Sequence, residues 1–372
     1  MSQAAAQSAF TYAASDFDHS PFLVFYELTR ACDLVCQHCR ACAQPKPHPK
    51  ELSTDEAEAM LGELAQFPKR PLVVLTGGDP FKRADLFHLI HHARDLGLRV
   101  AITPSATPLV TREARSQLKE AGISRMALSL DGSDAQTHDA FRGFEGSYRW
   151  TFQILQNARE LGLPLQINTT VTQRNHDQID AFAALLAKEG ITLWSVFFLV
   201  PVGRGLKEQR LSPQQYEQVF ERLWHHAQHQ PYSIKTTEAP HYRRFVRQRE
   251  GDPLQSGASP QHRFAQRAPL GTNDGRGVMF VSHTGQIFPS GFLPIECGRF
   301  PRDSIVDTYQ NAGLFRSLRD PNQFKGKCGR CEYRWICGGS RARAYAVYRD
   351  PLAAEPDCAY QPGPDTQDVI PC

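Results

Sequence analysis

Six short runs of aliphatic and β-branched residues, at 23–28, 72–76, 99–103, 125–130, 165–171 and 193–199, alternate with segments of helical periodicity. Each run is apolar at nearly every position. A strand with no polar face has to be covered on both sides, and strand–helix alternation does this with a parallel sheet whose crossovers lie on its faces. The pattern therefore predicts an α/β fold of repeated βα units over 21–205. The helical segments carry their own punctuation. Ser53 and Glu56 form a capping box ahead of the first, Ile179, Phe182 and Leu186 lie at the spacing of a buried helical stripe, and Gly97, Gly122, Gly162 and Gly190 each close a helix.

The rhythm stops after the sixth run. Ser212, Pro213 and Gln215 open one more helix, and residues 248–275 are crowded with Gly, Pro, Ser and charge. The chain thus divides into an N-terminal tail over 1–20, a βα region over 21–235, a linker or active-site flap over 236–275 and a C-terminal domain over 276–372. The last opens with a hairpin pattern, VMFVSHTGQIF, whose turn falls at 283–285, and continues with a helix over 305–316 and a cysteine-rich tail. Bulk properties narrow the partners. With 41% hydrophobic and 22% charged residues the chain has a globular balance, and 42 basic against 39 acidic side chains leave a net charge of +3, too small to draw a nucleic acid. The first residues hold no basic region followed by an apolar stretch, and nothing is apolar for long enough to span a bilayer, so a cytoplasmic protein without a membrane partner is expected.

Ten cysteines without an export signal point to metal rather than disulfides. Cys32, Cys36 and Cys39 directly follow the first strand, so they belong to the loop at its C-terminal end, where barrel active sites assemble. Three thiolates at this spacing can hold three irons of a cubane cluster and leave the fourth open. A zinc ion, with Cys42 or His38 as fourth ligand, is the alternative.

The triad resembles the signature of the radical S-adenosylmethionine (SAM) superfamily, and further motifs agree with it. Gly77, Gly78, Asp79 and Pro80 are similar to the family's GGEP loop beside the SAM methionine, with aspartate for glutamate. Ser129 within SLDG and Arg142 within FRG match segments that bind the SAM carboxylate, a role for which an arginine fork is well shaped. Asn168, and Leu199 or Val200, fall where relatives contact ribose and adenine. The resemblance implies a partial (β/α)6 TIM-like barrel and a 4Fe-4S cluster on Cys32, Cys36 and Cys39 whose open iron chelates SAM. It also implies a ferredoxin- or flavodoxin-type electron donor, and reductive SAM cleavage to a deoxyadenosyl radical that takes hydrogen from substrate.

The second cysteine group reads Cys328, Cys331, Cys337 and Cys358. It resembles the cysteine-rich SPASM extension of radical SAM enzymes, here with one auxiliary 4Fe-4S cluster, because Arg341 and Ser290 stand where further cysteines would serve a second. Four thiolates saturate such a cluster, which implies electron transfer rather than substrate binding. A zinc ribbon is the alternative. Cys297 is expected as a buried free thiol, Cys372 as a frayed end and Cys42 as a spare thiol. The stretches TGGDPFKRADL, PSATPLVT and PSGFLP look like those of the heme-pathway subgroup, which implies a tetrapyrrole substrate. Arg341 and Arg343 would pair its carboxylates, or decorate a helix capped by Ser340. A maturase crosslinking a ribosomally made peptide, and a non-enzymatic zinc protein, are the other readings.

Overall fold

The computed structural model describes residues 12–250 and 271–363. The six expected strands form as β1 (Leu23–Thr29), β2 (Leu72–Gly77), β3 (Arg99–Ile102), β4 (Arg125–Ser129), β5 (Leu165–Val171) and β6 (Leu193–Phe198), all parallel and side by side in chain order. Helices α1 (Thr54–Leu64), α2 (Leu86–Asp95), α3 (Arg112–Glu120), α4 (Ala135–Arg142), α5 (Ser147–Glu160) and α6 (Ile179–Leu186) make the crossovers, and α7 (Pro213–His229) follows β6. The capping box at α1 is closed in both directions, with Glu56 N–H donating to Ser53 Oγ at 3.2 Å and Ser53 N–H to Glu56 Oε2 at 2.8 Å.

Strand alternation separates core from cleft. Leu165, Ile167 and Val171 of β5 are buried, and Ile167 packs in one cluster with Val24, Leu75, Leu128 and Trp194 of other strands and with Leu61, Leu89 and Phe182 of the helices. Gln166, Asn168 and Thr170 alternate with them, half-buried on the opposite, inner face. That face is left for chemistry.

The sheet runs beyond six strands at both edges. β7 (Ser233–Thr237) adds parallel to β6, and α8 (His241–Glu250) follows it, so residues 236–250 are the end of a strand and a helix where a linker was expected. The reason is masked polarity: HYRRFVRQRE reads as charged, yet Tyr242, Phe245 and Val246 give it a buried side. Residues 251–270 of the expected flap lie outside the described residues. At the other edge, after β8 (Asn273–Asp274), β9 (Gly277–Val281) and β10 (Gln286–Phe288) form the expected hairpin, with β11 (Gly298–Arg299) beside it. β9 also pairs in parallel with β1, from Leu23 with Val278 to Tyr26 with Val281. The order is β11-β10-β9-β1-β2-β3-β4-β5-β6-β7, and the barrel is not closed. The C-terminal region thus begins inside the same sheet rather than after a boundary at 276.

Residues 12–20 are packed rather than a tail. Tyr12 and Phe17 are buried, and the Phe17 carbonyl accepts from Tyr309 Oη at 2.7 Å. The expected 305–316 helix is two, α9 (Ile305–Asn311) and α10 (Gly313–Arg319), because Ala312 between them is extended. Ser340 caps α11 (Arg341–Tyr348) through the Arg343 N–H at 3.0 Å, as expected.

The arginines of α11 correct both readings made of them: each is fully buried, neither decorating a surface nor open to a substrate carboxylate. Arg343 reaches back to the barrel. It donates to the carbonyls of Phe198 (3.2 Å), Leu199 (3.3 Å) and Glu238 (2.6 Å), and pairs with Glu355 at 3.1 Å and Asp357 at 3.3 Å. Removing one partner of a buried ion network leaves the rest uncompensated. Arg343→Met is therefore expected to lower stability by about 3–5 kcal/mol, read as an earlier denaturant midpoint.

Candidate active site at the first cysteine loop

The loop leaving β1 is held from three directions. Beneath it, the N–H groups of Gly78 and Asp79 donate to the carbonyls of Thr29 and Ala31, each at 2.7 Å. A Cβ on Gly77 or Gly78 would collide with those same carbonyl oxygens, which is the local reason for the glycine pair. Beside it, Glu51 accepts from Thr29 Oγ1 at 2.7 Å and from the N–H groups of Arg30 and His48 at 3.0 Å. Above it, in the loop after β6, Arg204 donates Nε to the Cys36 carbonyl at 2.8 Å and its own N–H to the Cys39 carbonyl at 3.1 Å.

The loop gathers the three thiols. Cys32 and Cys36 are buried with Leu34, and Cys39 and Ala43 pack against them. Donors face the sulfurs: Leu34 N–H at 3.4 Å from Cys32, Ala43 N–H at 3.4 Å from Cys39, and Arg142 Nη1 at 3.5 Å from Cys36, with Ser105 Oγ at 3.3 Å from Cys32. Such donors suit thiolates, the form that ligates a cluster. Burial raises the Cys32 thiol above its ordinary range, so metal binding there displaces a proton. Three soft donors fit three irons of a cubane and leave an open fourth. His38 packs its ring on Phe141, centroids 4.4 Å apart, and burial with Arg142 and Arg204 nearby holds it neutral.

The other expected residues gather at the same ends of the strands. Asp79 is fully buried and accepts from Thr107 Oγ1 at 3.0 Å, Phe81 N–H at 3.2 Å and Ser105 N–H at 3.4 Å, while burial pushes its carboxyl up to about 6. It therefore ties the turn after β3 to the glycine loop rather than facing an open cleft. Pro80 starts a short 3-10 turn behind it. Ser129 and Asn168 are register partners on β4 and β5, both half-buried. Arg142, at the end of α4, sits 2.5 Å from Asp131 as well as against Cys36. Leu199 and Val200 are buried, and the Leu199 carbonyl is taken by Arg343. The sequence reading missed Ser105, Asp131 and Arg204. Each lies in the loop within six residues of the C-terminal end of a strand, and that position was the available signal.

The second group also comes together. Cys328, Cys331, Cys337 and Cys358 line one cavity. Glu355 N–H donates to Cys328 Sγ at 3.2 Å and Gly339 N–H to Cys337 Sγ at 3.4 Å, while burial pushes Cys331 up to about 12 and Cys358 to about 11. Among the described residues no three His, Cys, Asp or Glu side chains form a site for a lone ion. Cys297 is half-buried, its thiol pushed by burial up to about 12, and Cys372 lies outside the described residues. No described helix is long and apolar enough to cross a membrane.

Because Gly78 carries the loop's underside, Gly78→Ala is expected to shift Ala31 and with it Cys32. Iron per chain should fall by about four after reconstitution, with the circular dichroism of the fold retained.

Comparison with known proteins places these motifs in context. Residues 26–186 match the radical SAM superfamily model. The AdoMet-dependent heme synthase of Nitratidesulfovibrio vulgaris is 39% identical over 344 residues, covering 91% of this chain and 92% of the relative. The AdoMet-dependent heme synthase of Methanosarcina barkeri is 39% identical over 348 residues, covering 93% and 98%. A solved structure, native anSMEcpe with bound AdoMet, superposes with a TM-score of 0.69 at 15% identity, covering 91% of this chain and 94% of that one, a likeness of fold alone. The open parallel sheet, the cysteine loop at the end of its first strand and an identity that runs through nearly the whole chain make this protein a member of the radical SAM superfamily.

Proposed function

We propose that this enzyme alters side chains of a tetrapyrrole in heme biosynthesis. The observation that carries the reading is the 39% identity, over more than nine-tenths of the chain, to relatives named AdoMet-dependent heme synthase. That likeness covers 93% of the chain and so extends far past residue 186.

On this reading Cys32, Cys36 and Cys39 hold the SAM-binding cluster. Gly77 and Gly78 let backbone approach the methionine end of SAM, with Asp79 and Pro80 fixing their loop. Arg142 and Ser129 receive the carboxylate, and Asn168 and Leu199 lie along the nucleoside. Bound together, cluster and SAM supply reductive cleavage to a deoxyadenosyl radical that takes hydrogen from substrate. The chain's own part is position and exclusion of water. Arg142 is itself positioned, since Asp131 beside it keeps the guanidinium at the loop.

On the inner face Phe25 of β1 is half-buried beside its register partner Phe280 of β9, an aromatic edge that suits stacking of a flat macrocycle. Cys328, Cys331, Cys337 and Cys358 hold an auxiliary 4Fe-4S cluster in a SPASM-like region, and a ferredoxin- or flavodoxin-type protein of the cytoplasm supplies electrons.

Wild-type protein reconstituted anaerobically with iron and sulfide should release deoxyadenosine from SAM and dithionite only when a carboxylated iron porphyrin is consumed alongside, and Cys36→Ala should release none. Deoxyadenosine formed in step with modification of a peptide, and not of the porphyrin, would replace the tetrapyrrole reading with the maturase one.

A further inference from the structure

Arg341 is a buried full charge with no carboxylate in ion-pair reach among the described residues, and Asp350, which feels its charge, is paired with Lys325. The Arg341 side chain is 0% exposed, and its donors go to neutral carbonyls: Nε to Gly339 at 3.2 Å, Nη1 to Pro351 at 3.1 Å and to Ala353 at 2.7 Å. Its face lies 4.5 Å from the centroid of the Phe324 ring. Among the described residues no carboxylate pairs with it. Arg343, two residues on, has both Glu355 and Asp357. A guanidinium taken out of water without an anion is strongly disfavoured. The one remaining donor answers this, because Arg341 Nη2 lies 3.7 Å from Cys328 Sγ in the wall of the four-cysteine cavity.

Two further cations flank the same cavity without a carboxylate partner among the described residues. Lys327 donates Nζ to the Cys358 carbonyl, and Arg243 donates to the carbonyls of Ile336, next to Cys337, and of Thr272. The acidic groups nearby are already engaged, Glu355 with Arg343 and the Ser340 N–H, Glu332 with Tyr360 Oη, and Asp350, which also feels Arg341, with Lys325 at 2.6 Å. The cavity is therefore built to hold more negative charge than four neutral thiols would bring.

We infer that Arg341 is a tuning residue for the auxiliary cluster, whose net negative charge is its counter-ion and whose reduced state, one charge more negative, it favours. Cluster potentials follow net charge and hydrogen bonds to the sulfurs, and Arg341 supplies both at Cys328. The result is a cluster more readily reduced than its four thiolates alone would make it.

The inference rests on the reading that Cys328, Cys331, Cys337 and Cys358 carry an iron–sulfur cluster, and the experiment separates the two. The full chain with Cys32, Cys36 and Cys39 all replaced by Ala is reconstituted, and its iron is counted before an EPR-monitored redox titration. Absence of iron defeats the cluster reading itself. With about four irons bound, adding Arg341→Gln should lower the one-electron equilibrium constant about tenfold, about 59 mV more negative. Arg341→Lys, which keeps the charge and loses the fork, should fall between. An unchanged midpoint in Arg341→Gln overturns the inference. If Arg341→Gln holds no iron, Lys327→Gln, at a half-buried side chain, decides: a more negative midpoint supports the charged cage and an unchanged one overturns it.

Discussion

The guanidinium of Arg343 is the joint on which the two halves of the molecule depend. It stands in the first turn of α11 in the C-terminal region, yet it takes the carbonyls of Phe198, which ends β6, of Leu199 just after it, and of Glu238 just beyond β7. Glu355 and Asp357 neutralise it from the segment that leads to Cys358. One side chain thus fixes the ends of two barrel strands, the helix that follows Cys337 and the approach of the last cysteine. Buried ion networks add little net stability against an apolar packing of equal volume, because desolvation offsets attraction. Losing one member is costly, and so the arrangement admits one relative placement of its parts.

A second joint ties the first cysteine loop to the same region. Arg40, next to Cys39, donates Nη2 to Glu27 Oε1 at 3.0 Å, and His283 Nδ1 lies 2.6 Å from Glu27 Oε2. Burial alone would raise the Glu27 carboxyl, but Arg40 and His283 hold it below its ordinary range. His283 is the turn of the β9–β10 hairpin, and β9 is paired to β1, the strand that carries Glu27. The loop that gathers three cysteines is therefore braced by the C-terminal hairpin as well as by the glycine pair after β2. Both cysteine sites are set against one continuous sheet.

This explains which parts of the molecule could be read in the residues. The six parallel strands are legible because their core-facing positions are apolar and helical segments alternate with them, even where the inner face is only half-buried, as at Gln166, Asn168 and Thr170 of β5. Cys32, Cys36 and Cys39 are legible as a group because three cysteines so closely spaced stand out in the chain, and the structure gathers their thiols. β7 is not, since SIKTT lies at an edge and needs few apolar residues to pair with β6. The β1–β9 pairing joins residues more than 250 apart, and no local pattern encodes a partner at that distance. Asp79 stands where an acidic residue is expected to meet a ligand, but the residues that bury it, Thr107 and Ser105, come from another strand's loop.

Arg341 and Arg343 show the limit most clearly, because one turn of helix holds two arginines that sequence cannot tell apart. Both occupy GGSRARAY, both are fully buried, and nothing in their neighbours in the chain distinguishes them. What separates them is the anion each one finds. Arg343 meets carboxylates supplied by the polypeptide, which makes it a joint of the fold. Arg341 meets the Cys328 sulfur, at 3.7 Å from Nη2, which would balance its charge as a thiolate. The same side chain two helical positions apart thus faces backbone carbonyls and carboxylates in one case and a cysteine sulfur in the other, and the difference lies wholly in which buried group it meets.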